Sequence, residues 1–317
     1  MDSSTRLASL ADVTEKWLTE GNFRRQAVDA LSVSTGYSTI LVEDAIDKAF
    51  GELTLPKLQE FISNRSFASR VLSPPKILLH IAAGNVFTSW LFGVYISLLM
   101  GFTVWFKPSR NEPVFSSLFR ESLLSENAAF AEGFVPVRWS EALCTQVAGV
   151  IAYGSDDSLG QIKAHVPEDI LWIGYGHKAS IGVAFKECVV SGRWEEWTAS
   201  AAEDVRAFNL EGCLSPQILL VEEPTVVAWR SFLSTFAKAP RLESFSSPEE
   251  FLTRIIPFKG KLSSIGVAGP MARIDPLRES LEMLEVTRIC KLGNMQRPTL
   301  DWRNGGIDLP KALAAIR

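Results

Sequence analysis

Lys76-Ile77-Leu78-Leu79-His80-Ile81 leads into Ala82-Ala83-Gly84-Asn85-Val86, then a run from Phe87 to Met100, then Thr103-Val104-Trp105-Phe106-Lys107. From Ile77 to Phe106 there is no Asp, Glu, Lys or Arg. A membrane helix needs roughly 20 continuous apolar residues, and this run is interrupted at Gly84-Asn85 and again at Gly101. It reads instead as three buried pieces: a strand over 76–81, a helix of about four turns over 87–100, and a second strand over 103–107 rich in β-branched and aromatic residues. A strand, a Gly-containing loop, an all-round apolar helix and another strand make a βαβ unit buried on both faces.

Upstream, Leu7 to Leu18, Val42 to Leu53 and Leu58 to Ile62 carry apolar residues at helical spacing, so residues 1–70 are expected to be a helical segment. Ser73-Pro74-Pro75 punctuates the chain, because proline after proline stops a helix. Downstream, strands and helices alternate. A helix is expected over Glu112 to Leu124, and strands over Gly133 to Arg138, Val147 to Tyr153 and Asp169 to Ile173. After Thr198 a helix runs to Phe208, followed by a strand at Gln217 to Val221. Helices at Thr225 to Ala237 and Pro248 to Ile255 come next, then strands at Ser264 to Val267 and Glu285 to Cys290. Such alternation predicts an α/β protein with parallel sheets covered by helices on both faces. Two lobes are expected, over 71–195 and 196–290, with the boundary near residues 190–197 and a C-terminal segment over 291–317.

Composition narrows the function classes. The 317 residues are 47% hydrophobic and 21% charged, as in a globular protein of one large or two moderate domains. A net charge of −4 lacks the basic footprint of a nucleic-acid binder. Four Cys with no C-x-x-C pair make neither a disulfide framework nor a zinc or dithiol site, and no metal is expected. Met1 to Leu10 shows no basic stretch followed by an apolar run, so no secretory signal is read and a cytoplasmic location is expected.

Three elements carry chemistry. Cys213 lies in Asn209-Leu210-Glu211-Gly212-Cys213-Leu214-Ser215-Pro216-Gln217, between a helix and an apolar strand. A loop thiol at a strand mouth can be exposed and activated, where a core thiol is inert; Cys144, Cys188 and Cys290 read as core. Asn85 follows the first strand, where its amide can point into a cleft and donate to an oxyanion or simply cap the next helix. The second strand delivers Lys107, with Ser109 and Arg110 just beyond, to the carboxyl edge of its sheet, where open α/β folds bind ligands.

In this order the three elements resemble the aldehyde dehydrogenase superfamily. Ala83-Gly84-Asn85-Val86, the helix ending at Met100-Gly101, and Val104-Trp105-Phe106-Lys107-Pro108-Ser109 are similar to its first cofactor-binding βαβ. Phe208-Asn209 with Gly212-Cys213 is similar to its catalytic-cysteine loop. Within the superfamily, Gly212-Cys213-Leu214-Ser215-Pro216 and the tail Cys290-Lys291-Leu292-Gly293-Asn294-Met295-Gln296-Arg297-Pro298 with Trp302 resemble the LuxC-type acyl-CoA reductases. The resemblance covers roughly residues 70–310 and implies a Rossmann-like cofactor lobe with a shortened catalytic lobe. It implies that Cys213 attacks an acyl-CoA or acyl-carrier thioester and carries the acyl group. Asn85 and the Cys213 backbone N–H would hold the oxyanion, and a nicotinamide would reduce the acyl group to aldehyde.

Lys107 and Ser109 match positions that hold the adenosine ribose, and Arg110 stands where NAD-preferring members often have Glu. A guanidinium there suits a 2′-phosphate, so NADPH is expected over NADH. Gly154 and Ser155, in Gly154-Ser155-Asp156-Asp157-Ser158-Leu159-Gly160, resemble the Gly-Ser loop near the pyrophosphate, although the copy is one residue longer and its Asp pair suits helix capping better. Hydrolytic members have Glu-Leu-Gly-Gly-Lys where this chain has Trp172-Ile173-Gly174-Tyr175-Gly176-His177-Lys178. Without that carboxylate, deacylation by water should be slow. The alternatives are a cofactor-independent thiol acyltransferase and a non-catalytic member acting as a binding partner. A homo-oligomer is expected from the superfamily's habit.

Overall fold

The structure is a computed structural model that describes residues 2–65 and 75–316. Ser73-Pro74 and the expected boundary at 70/71 therefore lie outside the described residues. Internal contacts divide the chain into two units: Met1–Gly176 with Thr299–Asp301 and Ile307–Arg317, and His177–Pro298 with Trp302–Gly306.

The first unit opens with α1 (Ser3–Leu18), α2 (Asn22–Thr35), α3 (Thr39–Phe50) and α4 (Leu55–Asn64). Asp2 caps α1 by accepting from the Thr5 N–H, and Ser38 caps α3 by accepting from Leu41. Then follow β1 (Ile77–Ile81), α5 (Leu91–Leu99), β2 (Thr103–Lys107), α6 (Val114–Glu126), α7 (Ala128–Ala131), β3 (Phe134–Pro136), β4 (Gly149–Tyr153), α8 (Asp156–Lys163) and β5 (Leu171–Tyr175). The strands form one sheet in the order β3-β2-β1-β4-β5, every pair parallel. The charge-free stretch is thus a buried βαβ unit. Its helix starts at Leu91 rather than Phe87, because Ser89 and Leu91 make tight three-residue bonds to Val86 and Thr88.

The N-terminal helices belong to this unit's core. Trp17 of α1 stacks on Phe50 of α3 at 4.9 Å and meets Phe115 of α6 edge-on at 5.2 Å. Its indole N–H, buried, donates to Ser122. α2 is absent from the helices read in the sequence because its buried Ala27, Val28 and Leu31 are few among polar residues.

The second unit runs β6 (Ala179–Ala184), α9 (Glu187–Val190), α10 (Trp194–Arg206), β7 (Pro216–Glu222), α11 (Val226–Leu233), β8 (Arg241–Phe245), α12 (Pro248–Ile255), β9 (Leu262–Ala268), α13 (Arg278–Met283) and β10 (Ile289–Lys291). Its sheet is ordered β10-β9-β6-β7-β8, again all parallel. Helices cover both faces: Ile181, Val183, Ile265 and Val267 pack with Phe251 and Ile255 of α12. On the other side Leu219, Val221 and Ala268 pack with Trp197 of α10 and Trp229 of α11. β6 was not among the expected strands, and it moves the division from residues 190–197 to Gly176–His177. The chain then re-enters the first unit, where α14 (Leu309–Ala314) packs on α5. Arg65 ties this return down with ion pairs to Asp301 at 2.8 Å and Asp308 at 2.6 Å. Among the described residues no helix is long and apolar enough to cross a membrane.

His80 of β1 is a wholly buried neutral imidazole, as its place in an apolar strand suggests. Its Nε2 pairs with Ser97 Oγ at 3.0 Å, its Nδ1 has no partner among the described residues, and burial pushes its pKa down to about 3. Between the unfolded value near 6.5 and about 3, the unfolded chain therefore binds the proton and the folded chain does not. Stability is whole above pH 6.5 and falls as pH drops, by up to about 1.4 kcal/mol per pH unit. Urea unfolding at a series of pH values should show this slope in the wild type and its loss in His80→Gln.

Candidate functional site

In the first sheet the chain leaves β1 toward β2 on one side and reaches β4 on the other, so the strand order reverses between β1 and β4. The carboxyl ends of strands at such a switch point form the ligand crevice of open α/β sheets. Six of the expected residues lie at the carboxyl ends of this sheet's strands: Asn85, Lys107, Ser109, Arg110, Gly154 and Ser155. Asn85, exposed, lies in the loop after β1, and its carbonyl accepts from the Tyr37 hydroxyl at 3.0 Å. Lys107 ends β2, its carbonyl accepting from Ala82 N at 3.0 Å, which sets the two loops side by side.

Ser109 is buried, accepts from Asn111 N, and lies against Gly84 so closely that a Cβ at Gly84 would collide with its Oγ. It packs the loop as well as facing the edge. Arg110 is exposed. Burial first, and the Arg110 guanidinium second, lower the Lys107 ammonium from its ordinary value. Among the described residues neither cation has a carboxylate partner. Gly154 and Ser155 follow β4; Ser155 Oγ caps α8 by accepting from Ser158 N. Asp156 Oδ1 lies where a Cβ on Gly176 would be, which leaves this Asp engaged with the β5 end.

The thiol lies in the second unit. Phe208, Asn209 and Leu210 all have φ between 49 and 62°, three successive non-glycine residues in the left-handed region. Each costs about 1–2 kcal/mol, so the surroundings must hold them there. Gln217 Nε2 donates to the Leu210 carbonyl at 2.8 Å and Ser215 Oγ donates to the Ala207 carbonyl at 3.2 Å. Behind the loop is a buried polar chain: Ser264 Oγ donates to Ser180 Oγ at 2.9 Å, which donates to the Cys213 carbonyl at 2.6 Å. Gln296 Nε2 reaches Ser215 Oγ at 3.2 Å. The Gly293–Met295 turn that carries Gln296 is held by Asp204 of α10, wholly buried, whose carboxylate accepts from the Gly293 and Met295 N–H groups.

Cys213 is exposed, Cys144 and Cys188 are buried, and Cys290 is intermediate. Crowding by protein nonetheless raises the Cys213 thiol above its ordinary value, opposed by its own backbone N–H and by the Ser263 hydroxyl. Surface access decides whether a substrate reaches the sulfur; crowding governs how readily it ionises. Burial pushes Cys188 up to about 12 and Cys290 up to about 11, so neither competes as a nucleophile. Cys213 stands before β7, at the amino edge of its sheet. The carboxyl edge at the second switch point, between β6 and β9, is stitched shut by Arg273. Its guanidinium pairs with Glu187 and with Glu222 at 2.7 Å and lies 4.5 Å over the Phe185 ring. Asn85 and the cofactor candidates belong to the first unit and Cys213 to the second.

Ser180, Asp204, Ser264 and Gln296 escaped the sequence reading. Ser263-Ser264 inside an apolar strand was the available signal, since buried hydroxyls need partners.

The fold is that of aldehyde dehydrogenases. An aldehyde dehydrogenase from Brucella melitensis biovar abortus matches with TM-score 0.71 and 9% identity, over 92% of this chain and 77% of its own. The glyceraldehyde-3-phosphate dehydrogenase of Methanocaldococcus jannaschii, solved with NADP, matches with TM-score 0.68 and 9% identity over 92% and 82%. A betaine aldehyde dehydrogenase variant from Staphylococcus aureus gives 0.67 and 10% over 92% and 75%. No curated protein matches the chain in sequence. The acyl-CoA reductase (LuxC) family matches residues 5–248, from α1 to the start of α12, and the chain belongs to that family.

Because Asp204 satisfies two buried N–H donors, Asp204→Ala strands both. Chemical denaturation should show a loss of about 3 kcal/mol, with a smaller loss for Asp204→Asn, which still accepts through one oxygen.

Proposed function

We propose that this chain is an NADPH-dependent reductase that converts an acyl-CoA thioester to an aldehyde through an acyl intermediate on Cys213. The observation that carries the reading is Cys213, an exposed residue on a loop held by a left-handed turn, in a chain of the acyl-CoA reductase family. Strain of this kind collects at functional sites.

The Cys213 thiolate attacks the thioester carbonyl, the carbon–sulfur bond to CoA breaks, and CoA leaves as a thiolate that takes up a proton. A reduced nicotinamide, when bound, supplies the hydride that the acyl carbon needs. The resulting thiohemiacetal on Cys213 collapses, the carbon–sulfur electron pair returns to the sulfur, and aldehyde departs. The Cys213 N–H is a donor for the oxyanion of both tetrahedral states; a donor of this kind contributes about 3 kcal/mol to lowering the barrier. The raised thiol pKa means that the resting cysteine is mostly protonated at neutral pH, so acylation should quicken as pH rises.

The switch-point edge of the first sheet fits a dinucleotide. Lys107 and Arg110, two cations without carboxylate partners among the described residues, suit a phosphate and favour a 2′-phosphate over a bare ribose. Gly154-Ser155 at the start of α8 suits the pyrophosphate less well, since Ser155 is used as a cap. Between β5 and β6 the segment Tyr175-Gly176-His177-Lys178 offers no carboxylate to activate water, which favours transfer to hydride over hydrolysis.

Intact mass spectrometry after mixing with a panel of acyl-CoAs, without cofactor, should show one acyl adduct on the wild type and none on Cys213→Ala. Adducts with no subsequent NADPH consumption would indicate a thiol acyltransferase. No adduct from any acyl-CoA, but labelling from an acyl carrier protein, would move the substrate to that carrier. Arg110→Glu should raise the KM for NADPH by about tenfold or more, equivalent to at least about 1.4 kcal/mol, while altering the KM for NADH little.

A further inference from the structure

The sheet that carries Cys213 has two irregularities, both at Ser180. On one side the register runs Ala179↔Leu262 and then Ser180↔Ser264, leaving Ser263 as an extra residue in β9. On the other it runs Ser180↔Pro216 and then Ile181↔Ile218, leaving Gln217 extra in β7. A bulge re-aims the side chain of the extra residue, and bulges gather beside functional sites. Gln217 uses its new direction to hold the Leu210 carbonyl. Ser263 is wholly buried, yet its Oγ has no hydrogen-bond partner of regular geometry among the described residues. Its neighbour Ser264 is fully engaged, through Ser180, with the Cys213 carbonyl. A buried hydroxyl left without a partner costs stability. The bulge that frees it sits one residue before Ser264, whose hydroxyl supports the Cys213 loop through Ser180.

We infer that Ser263 is a residue of the Cys213 site, its O–H donating to the sulfur when the thiol ionises and sharing the anion with the Cys213 backbone N–H. This rests on the reading of Cys213 as the nucleophile. Among the described residues no charged side chain acts on the thiol; its own N–H and Ser263 are the groups that favour the anion against burial. A hydroxyl here does the work that a neighbouring cation does for other reactive cysteines.

The test is the pH dependence of Cys213 alkylation by iodoacetamide, followed by intact mass on the full chain. Ser263→Ala should move the midpoint to higher pH and slow alkylation at pH 8 by about threefold or more. Its melting temperature should stay at or above that of the wild type, because the change removes an unsatisfied hydroxyl. Ser263→Thr should restore the wild-type midpoint, whereas Ser263→Val, the same shape without the hydroxyl, should not; this pair decides the matter if Ser263→Ala folds poorly. Identical midpoints for the Thr and Val variants overturn the inference. Hydroxyl-dependent alkylation without acylation by any thioester would sink the reductase reading and leave the role of Ser263 standing. Acylation with hydroxyl-independent alkylation would do the reverse.

Discussion

The Ser180 hydroxyl, donating to the Cys213 carbonyl from within a dry parallel sheet, is the contact on which the rest of the second unit turns. Parallel strands covered on both faces leave no water to satisfy a stray polar group, so each hydroxyl among them needs a partner chosen by register. Ser264 completes Ser180, Ser180 fixes the cysteine carbonyl, and Gln296 secures Ser215 two residues further on. The Cys213 loop is therefore gripped from strands before and after it in sequence. Three left-handed residues upstream can persist because their neighbours on both sides are immobilised.

Both sheets have the same topology relative to their own first strand, yet their carboxyl edges are chemically opposite. In the first sheet the edge presents Lys107 and Arg110 without counter-charges among the described residues. In the second, Arg273 is matched by Glu187 and Glu222 and laid over Phe185. A cation already held by two carboxylates has little to offer a phosphate, whereas one without a counter-charge does. One architecture, used twice, thus has one carboxyl edge whose cations lack carboxylate partners among the described residues and another whose arginine is ion-paired, while Cys213 stands at the amino edge of the second sheet.

Much of the fold can be read in the sequence because burial on both faces removes charge. The run from Ile77 to Phe106 declares its βαβ unit by composition alone. β6 hides because Gly174, Gly176 and Gly182 interrupt the apolar pattern around it. β8, an edge strand, carries Arg241 and Glu243 in only five residues. Cys213 and Asn85 are visible because glycine-flanked loops between apolar segments stand out. The hydroxyls behind the cysteine are not, since Ser180 and Ser264 lie 84 residues apart and only strand register makes them neighbours. The tail from Cys290 to Pro298 was recognisable as a motif, but its purpose, to carry Gln296 to the loop while Asp204 anchors its backbone, required coordinates.

The chain crosses between its two units at Gly176–His177 and again three times between Pro298 and Ile307. α14, which covers part of α5, is thus supplied by residues that come after the whole cysteine-bearing sheet has been made. During ribosomal synthesis the apolar α5 face must wait for that late helix. A fragment cut at residue 176 would keep every strand of the first sheet, yet it would leave Arg65 without its two aspartates and an aliphatic surface uncovered. Dissecting this molecule into separately expressed halves therefore calls for grafting the last segment back, not for a single cut.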